Sequence, residues 1–187
     1  MNSVNEVYPL RQQITQDSIR YFFLSLGRCE IVKAVEYAYV ERFNGRDLYN
    51  FGFGNYDFET NIVLDDQVSN NGDQYKVFNT VLSSVLVFFQ ARKNAMIMVQ
   101  GSDSMPEFIQ HCKNNCEKSC DMDSCKKAGQ RIRIYRGFVD KHFEQLAKNY
   151  RFWGRQGFDN QNIIEPYRIG KPYDSLFFIR KIANFGI

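Results

Sequence analysis

The chain has 187 residues, with 24 Lys+Arg against 21 Asp+Glu, so a net charge of +3. Its pI is about 8.5. That length predicts one domain spanning 1–187, and the mild basic bias falls short of a dedicated polyanion binder. No apolar run approaches the ~18 residues a membrane span needs. The N-terminal MNSVNEVYPLRQQ lacks the apolar core of a secretory leader, so the expectation is a soluble, cytoplasmic protein with no membrane partner. Aromatic residues make up 16%, with 17 Phe and 11 Tyr, which predicts pleated surfaces and substantial β-sheet.

In chain order, the first ~18 residues are polar and non-periodic and predict a loose arm. Tyr21–Leu26 (YFFLSL) predicts a strand stopped by Gly27, and Ile31–Phe43 predicts the next. Asn44 and Gly45 tolerate positive φ and signal a type I′ hairpin turn, with Leu48–Asp57 returning. There Tyr49, Phe51 and Phe53 alternate with Asn50, Gly52 and Gly54. The bare face predicts a bulge or crowded packing ahead of a ligand's approach. After Ile62–Leu64, the residues Val77, Phe78, Val81, Leu82, Val85, Phe88 and Phe89 recur at helical spacing. They predict a helix with one broad buried face, started by the capping and turn residues of Ser69–Asp73.

Ala95–Gln100 predicts a buried strand ended by Gly101. Beyond Gly129 a second helix carries Ile132, Tyr135, Val139, His142, Leu146 and Tyr150 on its apolar stripe. Arg151–Trp153 and Leu176–Lys181 predict two closing strands. A meander followed by two helices and further strands predicts an α+β fold, with one mixed, mostly antiparallel sheet covered by two main helices. The first helix makes a crossover, which predicts a parallel strand pair.

Between Gly101 and Gly129 lies HCKNNCEKSCDMDSC, and residues 103–129 read as a Cys-rich insertion. Cys112, Cys116, Cys120 and Cys125 supply four thiols in one short segment, with His111 as a spare ligand. Four soft ligands suit a tetrahedral structural zinc site. A continuous helix would spread Cys112 and Cys120 ~12 Å apart, so zinc binding requires the segment to turn near Ser119–Asp123. Two disulfides, or free surface thiols, are the alternatives, and a reducing compartment disfavours the disulfides. With four protein ligands the zinc would be structural, since no coordination position stays open.

The segments NNGDQYKVFNTVLSSV, GSDS, RIRIYRGFV and EPY…GKPYDSLFFIRK resemble a family of uncharacterised proteins common in Bacteroidota. That resemblance implies a bacterial cytoplasmic origin and assigns no activity. The order of elements also resembles the GNAT acetyltransferase fold. In that fold a loop before a helix cradles the pyrophosphate of acetyl-CoA, and a later helix often carries a tyrosine acting as general acid. The resemblance puts the cofactor loop at Asn70, Asn71, Gly72 and Asp73 and the acid at Tyr135. The family's loop is Gln/Arg-x-x-Gly-x-Gly/Ala. Here only Gly72 is present, and Asp73 sets negative charge where phosphate would sit.

The basic residues Lys126, Lys127, Arg131, Arg133 and Arg136 open the second helix, where cations oppose the helix dipole. They read as a solvated face, or as an anion- or nucleic-acid-binding surface with Tyr135 for stacking. His142 reads as a satisfied core residue. The chain has no G-x-S-x-G, H-E-x-x-H or P-loop pattern, and Asp57, Glu59, Asp65 and Asp66 read equally as a nuclease-like metal site or as solvated turn charges. Three functions stay open. One is a GNAT-like domain without a working coenzyme loop, acting through a protein partner in a toxin–antitoxin or defence-type operon. The others are an atypical acyltransferase using acetyl-CoA and a nucleic-acid-binding module.

Overall fold

The computed structural model describes residues 6–64, 70–104, 106–114, 128–157 and 163–181. It divides into two compact units, Met1–Ala95 and Met96–Ile187. Among the described residues no helix is long and apolar enough to cross a membrane.

The first unit is an antiparallel meander of β1 (Arg11–Ile14), β2 (Ser18–Leu26), β3 (Glu30–Phe43), β4 (Arg46–Asp57) and β5 (Ile62–Leu64), followed by α1 (Gln74–Ala91). The register aligns Tyr21 with Val35, and Val35 with Phe53. Strand side chains alternate between faces, so Tyr21, Phe23, Val35, Tyr37, Tyr49 and Phe51 gather on one buried face. Helix α1 packs on that face. The ring of Phe88 stacks on Tyr37 at 4.1 Å and meets Tyr49 edge-on at 5.1 Å. The hydroxyls of Tyr37 and Ser84 lie 3.0 Å apart, so the buried phenol keeps a polar partner. Asn44 and Gly45 turn the β3–β4 hairpin at φ 47° and 75°, as their sequence predicts.

Three expectations change. The N-terminal segment holds a strand, with β1 pairing β2 and Tyr8 buried and stacked on Phe23 at 5.8 Å. All four β1 side chains stay exposed, so the strand is held by backbone bonds that hydrophobic periodicity cannot register. The bulge sits at Tyr39/Glu41, away from the glycines, and a Cβ on Gly52 would meet only Glu36 Cβ at 4.0 Å. The buried face of α1 is narrower than its apolar residues: Phe78 and Leu86 are exposed.

The second unit holds β6 (Ala95–Gln100), a 3-10 turn at Ser102–Ser104, α2 (Pro106–Asn114), α3 (Gln130–Asn149), β7 (Tyr150–Arg155), β8 (Glu165–Pro166) and β9 (Ser175–Arg180). Its strands run β6-β9-β7-β8, all antiparallel. Ile97, Leu176 and Phe177 are buried. Ile132 and Val139 are the buried residues of α3, whose Phe143 ring faces Phe152 at 6.0 Å and Tyr167 at 5.6 Å. His142 is half-buried against Phe138 of the same helix at 4.6 Å, short of the core position expected.

The β8–β9 loop is closed by phenols on carboxylates. Tyr167 donates to Asp140 at 2.6 Å and Tyr173 to Glu165 at 2.7 Å, while Lys171 pairs with Glu165 at 2.6 Å. The ring of Tyr173 lies directly over Gly154, where a Cβ would collide with it. Because fully buried Tyr173 cannot move aside, Gly154→Ala is expected to destabilise the protein by about 1–3 kcal/mol. Gly52→Ala, with open space above it, is expected to be neutral or to stabilise by about 0.5 kcal/mol. Urea denaturation of the two variants tests the contrast; equal effects would show that ring packing over Gly154 is unimportant.

Candidate functional site

The loop predicted to cradle pyrophosphate runs directly into α1. Asn70 and Gly72 both take left-handed backbone, at φ 41° and 84°, and this turns Asn71 inward until it is only 4% exposed. Its side chain is fully committed. The amide Nδ2 donates to Ser25 Oγ at 2.8 Å and to the Cys29 carbonyl at 3.0 Å, and Oδ1 accepts the Cys29 N–H at 2.9 Å. Its carbonyl accepts the Arg28 N–H at 3.3 Å. Gly27, in the β2–β3 turn, lies so close that a Cβ there would collide with the Asn71 carbonyl. The β2–β3 turn therefore fills the space beside the loop, and backbone approach this close is a reason for glycine.

Asp73 occupies the N-cap position of α1 but makes no side-chain cap. Its carboxylate turns inward and accepts from Ser25 Oγ at 2.6 Å and from the Tyr8 hydroxyl at 2.8 Å. Tyr8 in turn accepts the Leu26 N–H at 3.1 Å, and its own N–H donates to Thr80 Oγ1 at 2.9 Å. Lys33 is buried on the same sheet face, with Nζ 2.8 Å from Asn55 Oδ1 and 5.7 Å from the Phe53 ring centre. Burial raises the Asp73 carboxyl. The hydrogen bonds from Ser25 and Tyr8, with the positive field of Lys33, outweigh it and leave the group below its ordinary value. Burial pulls the Lys33 ammonium down, and Asp73 opposes that. Burial, with smaller contributions from the Asp73 carboxylate, pushes the Tyr8 phenol up.

The result is a hydrogen-bonded clamp that ties the N-terminal segment, the β2–β3 turn and the start of α1 together. A helix N-terminus ordinarily offers amides and a positive dipole to an anion. Here a carboxylate of the chain itself stands at that point. Sequence reading missed Tyr8, Ser25, Lys33 and Asn55. Two signals were legible, because Ser25 follows Tyr21 and Phe23 at strand period and Lys33 precedes Val35 and Tyr37. A lone polar residue on an apolar strand face requires a buried partner.

Tyr135 lies half-buried on α3 in the second unit, whereas Asn70–Asp73 belong to the first. Two arginine side chains of α3 are committed to carbonyls, one at the helix start and one in the β8–β9 loop. Arg133 donates to the carbonyls of Gly129 and Ala128, both at 3.0 Å, and Arg136 to that of Tyr173 at 3.1 Å. The Arg131 N–H donates to Asp103 Oδ2 at 3.0 Å, and the Gly129 N–H to the Asp103 carbonyl at 3.2 Å. Asp103 thus supplies the negative group that the cation-rich helix start lacks in its own first turn. Lys126 and Lys127 lie outside the described residues, as do Cys116, Cys120 and Cys125. Cys112 is buried on α2 and His111 is exposed there. Among the described residues no three metal-ligating side chains gather.

Asp73 makes the clamp sensitive to acid. A depressed folded-state pKa contributes stability that is present above the ordinary carboxylate value and lost as pH falls through the folded value. Stability is therefore expected to fall as pH drops below the ordinary 3.8, and Asp73→Asn is expected to flatten that fall while lowering stability at pH 7. Denaturant midpoints across pH 2–7 for both proteins check it. Parallel curves would show that Asp73 is not the titrating group.

No curated protein matches the chain, and no solved structure does. One family model matches, over residues 4–107, more than half of the chain, and the match takes in every residue of the clamp. The chain belongs to that family, described as a family of unknown function (DUF6934).

Proposed function

We propose that the chain is a bacterial cytoplasmic protein with a GNAT-like fold whose coenzyme loop has become a structural clamp, and that it acts by binding a protein partner in a toxin–antitoxin or defence-type operon. The observation carrying this reading is the inward commitment of Asn71 and Asp73. In a coenzyme-binding loop these positions would leave backbone amides open to pyrophosphate. Here the β2–β3 turn packs against the loop, and the Asp73 carboxylate, held ionised by two hydroxyls, adds charge of the same sign as phosphate. Displacing it would leave the buried Ser25 hydroxyl without its acceptor, at a cost of about 1–3 kcal/mol, and would leave the Tyr8 hydroxyl only the Leu26 carbonyl at 3.1 Å.

Titration calorimetry with acetyl-CoA is expected to give no saturable heat. Saturable binding that Asn71→Ala or Asp73→Ala alters would overturn this reading in favour of an atypical acyltransferase, with Tyr135 as general acid. Salt-sensitive binding of nucleic acid, weakened at Arg131, Arg133 or Arg136, would favour the nucleic-acid module instead.

The same proposal includes a structural zinc clip on Cys112, Cys116, Cys120 and Cys125 in the insertion 103–129, with His111 as substitute ligand. What supports it is the sequence's four thiols in a segment too polar to order by burial, where metal binding would supply ordering free energy. Elemental analysis of protein purified without added metal is expected to give one zinc per chain. Sub-stoichiometric zinc with four titratable thiols would refute the clip.

A further inference from the structure

We propose that the second unit's sheet, at the end where β6 and β7 finish, binds a small carboxylate with an apolar tail, held by Arg155 and Ser175 and lying against Trp153. This goes beyond the partner reading above and does not depend on it. Strands β6 and β7 both run antiparallel to β9, so they point the same way. They also end together. Gln100 is the last residue of β6 and Arg155 the last of β7, and both stand opposite Ser175, the first of β9. Residues directly opposite share a face. Three polar side chains therefore line up at the carboxyl ends of two strands that run the same way, the end at which open α/β sheets hold ligands.

Two donors of this row lack acceptors. Ser175 is 0% exposed, and among the described residues neither its Oγ nor the buried Nε of Arg155 has a hydrogen-bond partner. Buried donors are almost always paired, so both point to an acceptor supplied from outside the chain. The Arg155 guanidinium carbon lies 5.4 Å from the Phe177 ring centre. That places it on the face of Ser175 and Phe177, opposite the one where the Tyr173 ring covers Gly154. Arg155 is half-buried, so solvent reaches the side chain. Nε and its neighbouring Nη form the side fork of a guanidinium, two parallel N–H donors that match the two oxygens of one carboxylate. The Ser175 hydroxyl supplies a third donor from the strand opposite. The row holds one cation, which suits a monoanion. Two residues back on the same face stand Met98, Phe177 and Trp153, with Met98 and Trp153 half-buried. An apolar wall beside a few placed polar groups is the usual make-up of a small-molecule site.

Trp153 is the chain's one tryptophan, so tryptophan emission reports on this face. Hexanoate is titrated into the full chain at constant ionic strength, beside acetate, hexanol and inorganic phosphate. Hexanoate is expected to shift the emission saturably. Acetate is expected to bind at least ~10-fold more weakly for want of the tail, and hexanol and phosphate to give no saturable shift. Arg155→Lys keeps the charge and loses the fork, and is expected to weaken hexanoate binding roughly 10-fold. Ser175→Ala is expected to weaken it several-fold with the melting temperature unchanged or raised, because the hydroxyl has no partner within the chain to lose. The proposal is overturned by any of four results: no saturable shift with hexanoate, an equal shift with hexanol, tighter binding of phosphate, or hexanoate affinity unchanged in Ser175→Ala.

Discussion

A carboxylate partly withdrawn from water has to be held by donors, and Asp73 meets that requirement with two hydroxyls from separate segments of the first unit. Tyr8 comes from the segment before β1 and Ser25 from the end of β2. Asn71 adds the β2–β3 turn to the same group. One short loop therefore sets where α1 starts and how the N-terminal segment lies over it. It also fixes how closely Gly27 approaches. The aromatic layer of Tyr37, Tyr49 and Phe88 then packs beneath a helix whose origin is already fixed. The same commitment removes the loop from anion binding, so one interaction both stabilises the unit and narrows its chemistry.

The second unit solves a related problem with the same parts. Its β8–β9 loop is polar and has no core of its own, and it is closed by Tyr167 on Asp140 and Tyr173 on Glu165. Burial raises both phenols, and the bonds to carboxylates raise them further, so they remain neutral donors at physiological pH. Tyr8, Tyr167 and Tyr173 all use this arrangement. A tyrosine ring fills aromatic packing while its hydroxyl satisfies a carboxylate at the rim. Gly154 is the counterpart of Gly27, because each lets a neighbouring group come within the distance a Cβ would occupy.

Much of the fold was legible because it rests on local periodicity. The α1 and α3 patterns, the Asn44–Gly45 turn and the closing strands follow from residue spacing and turn chemistry. The strand β1 was not, since RQQI exposes every side chain and leaves no pattern. Nor was the exposure of Phe78 and Leu86. The sequence marks them as apolar, but which apolar residues a helix buries depends on where the sheet lies. At the candidate site, position was legible and role was not. The loop Asn70–Asp73 was singled out by its place before a helix, yet whether Asp73 faces solvent or protein depends on Tyr8 and Ser25, 65 and 48 residues away.

The sequence by itself determined the longer secondary elements of both units, their α+β character and the concentration of cysteines between β6 and α3. These follow from side-chain periodicity and from backbone conformations that few residues tolerate. Only the tertiary structure decided that Asn71 and Asp73 close a clamp, that Arg136 donates to the Tyr173 carbonyl, and that Leu86 of α1 is exposed while Phe88 and Phe89 are buried. Each of these is a pairing between residues distant in the chain or a question of which face another element covers. Hydrogen-bond donors find acceptors by proximity in space, and residue order along a single chain does not encode that proximity.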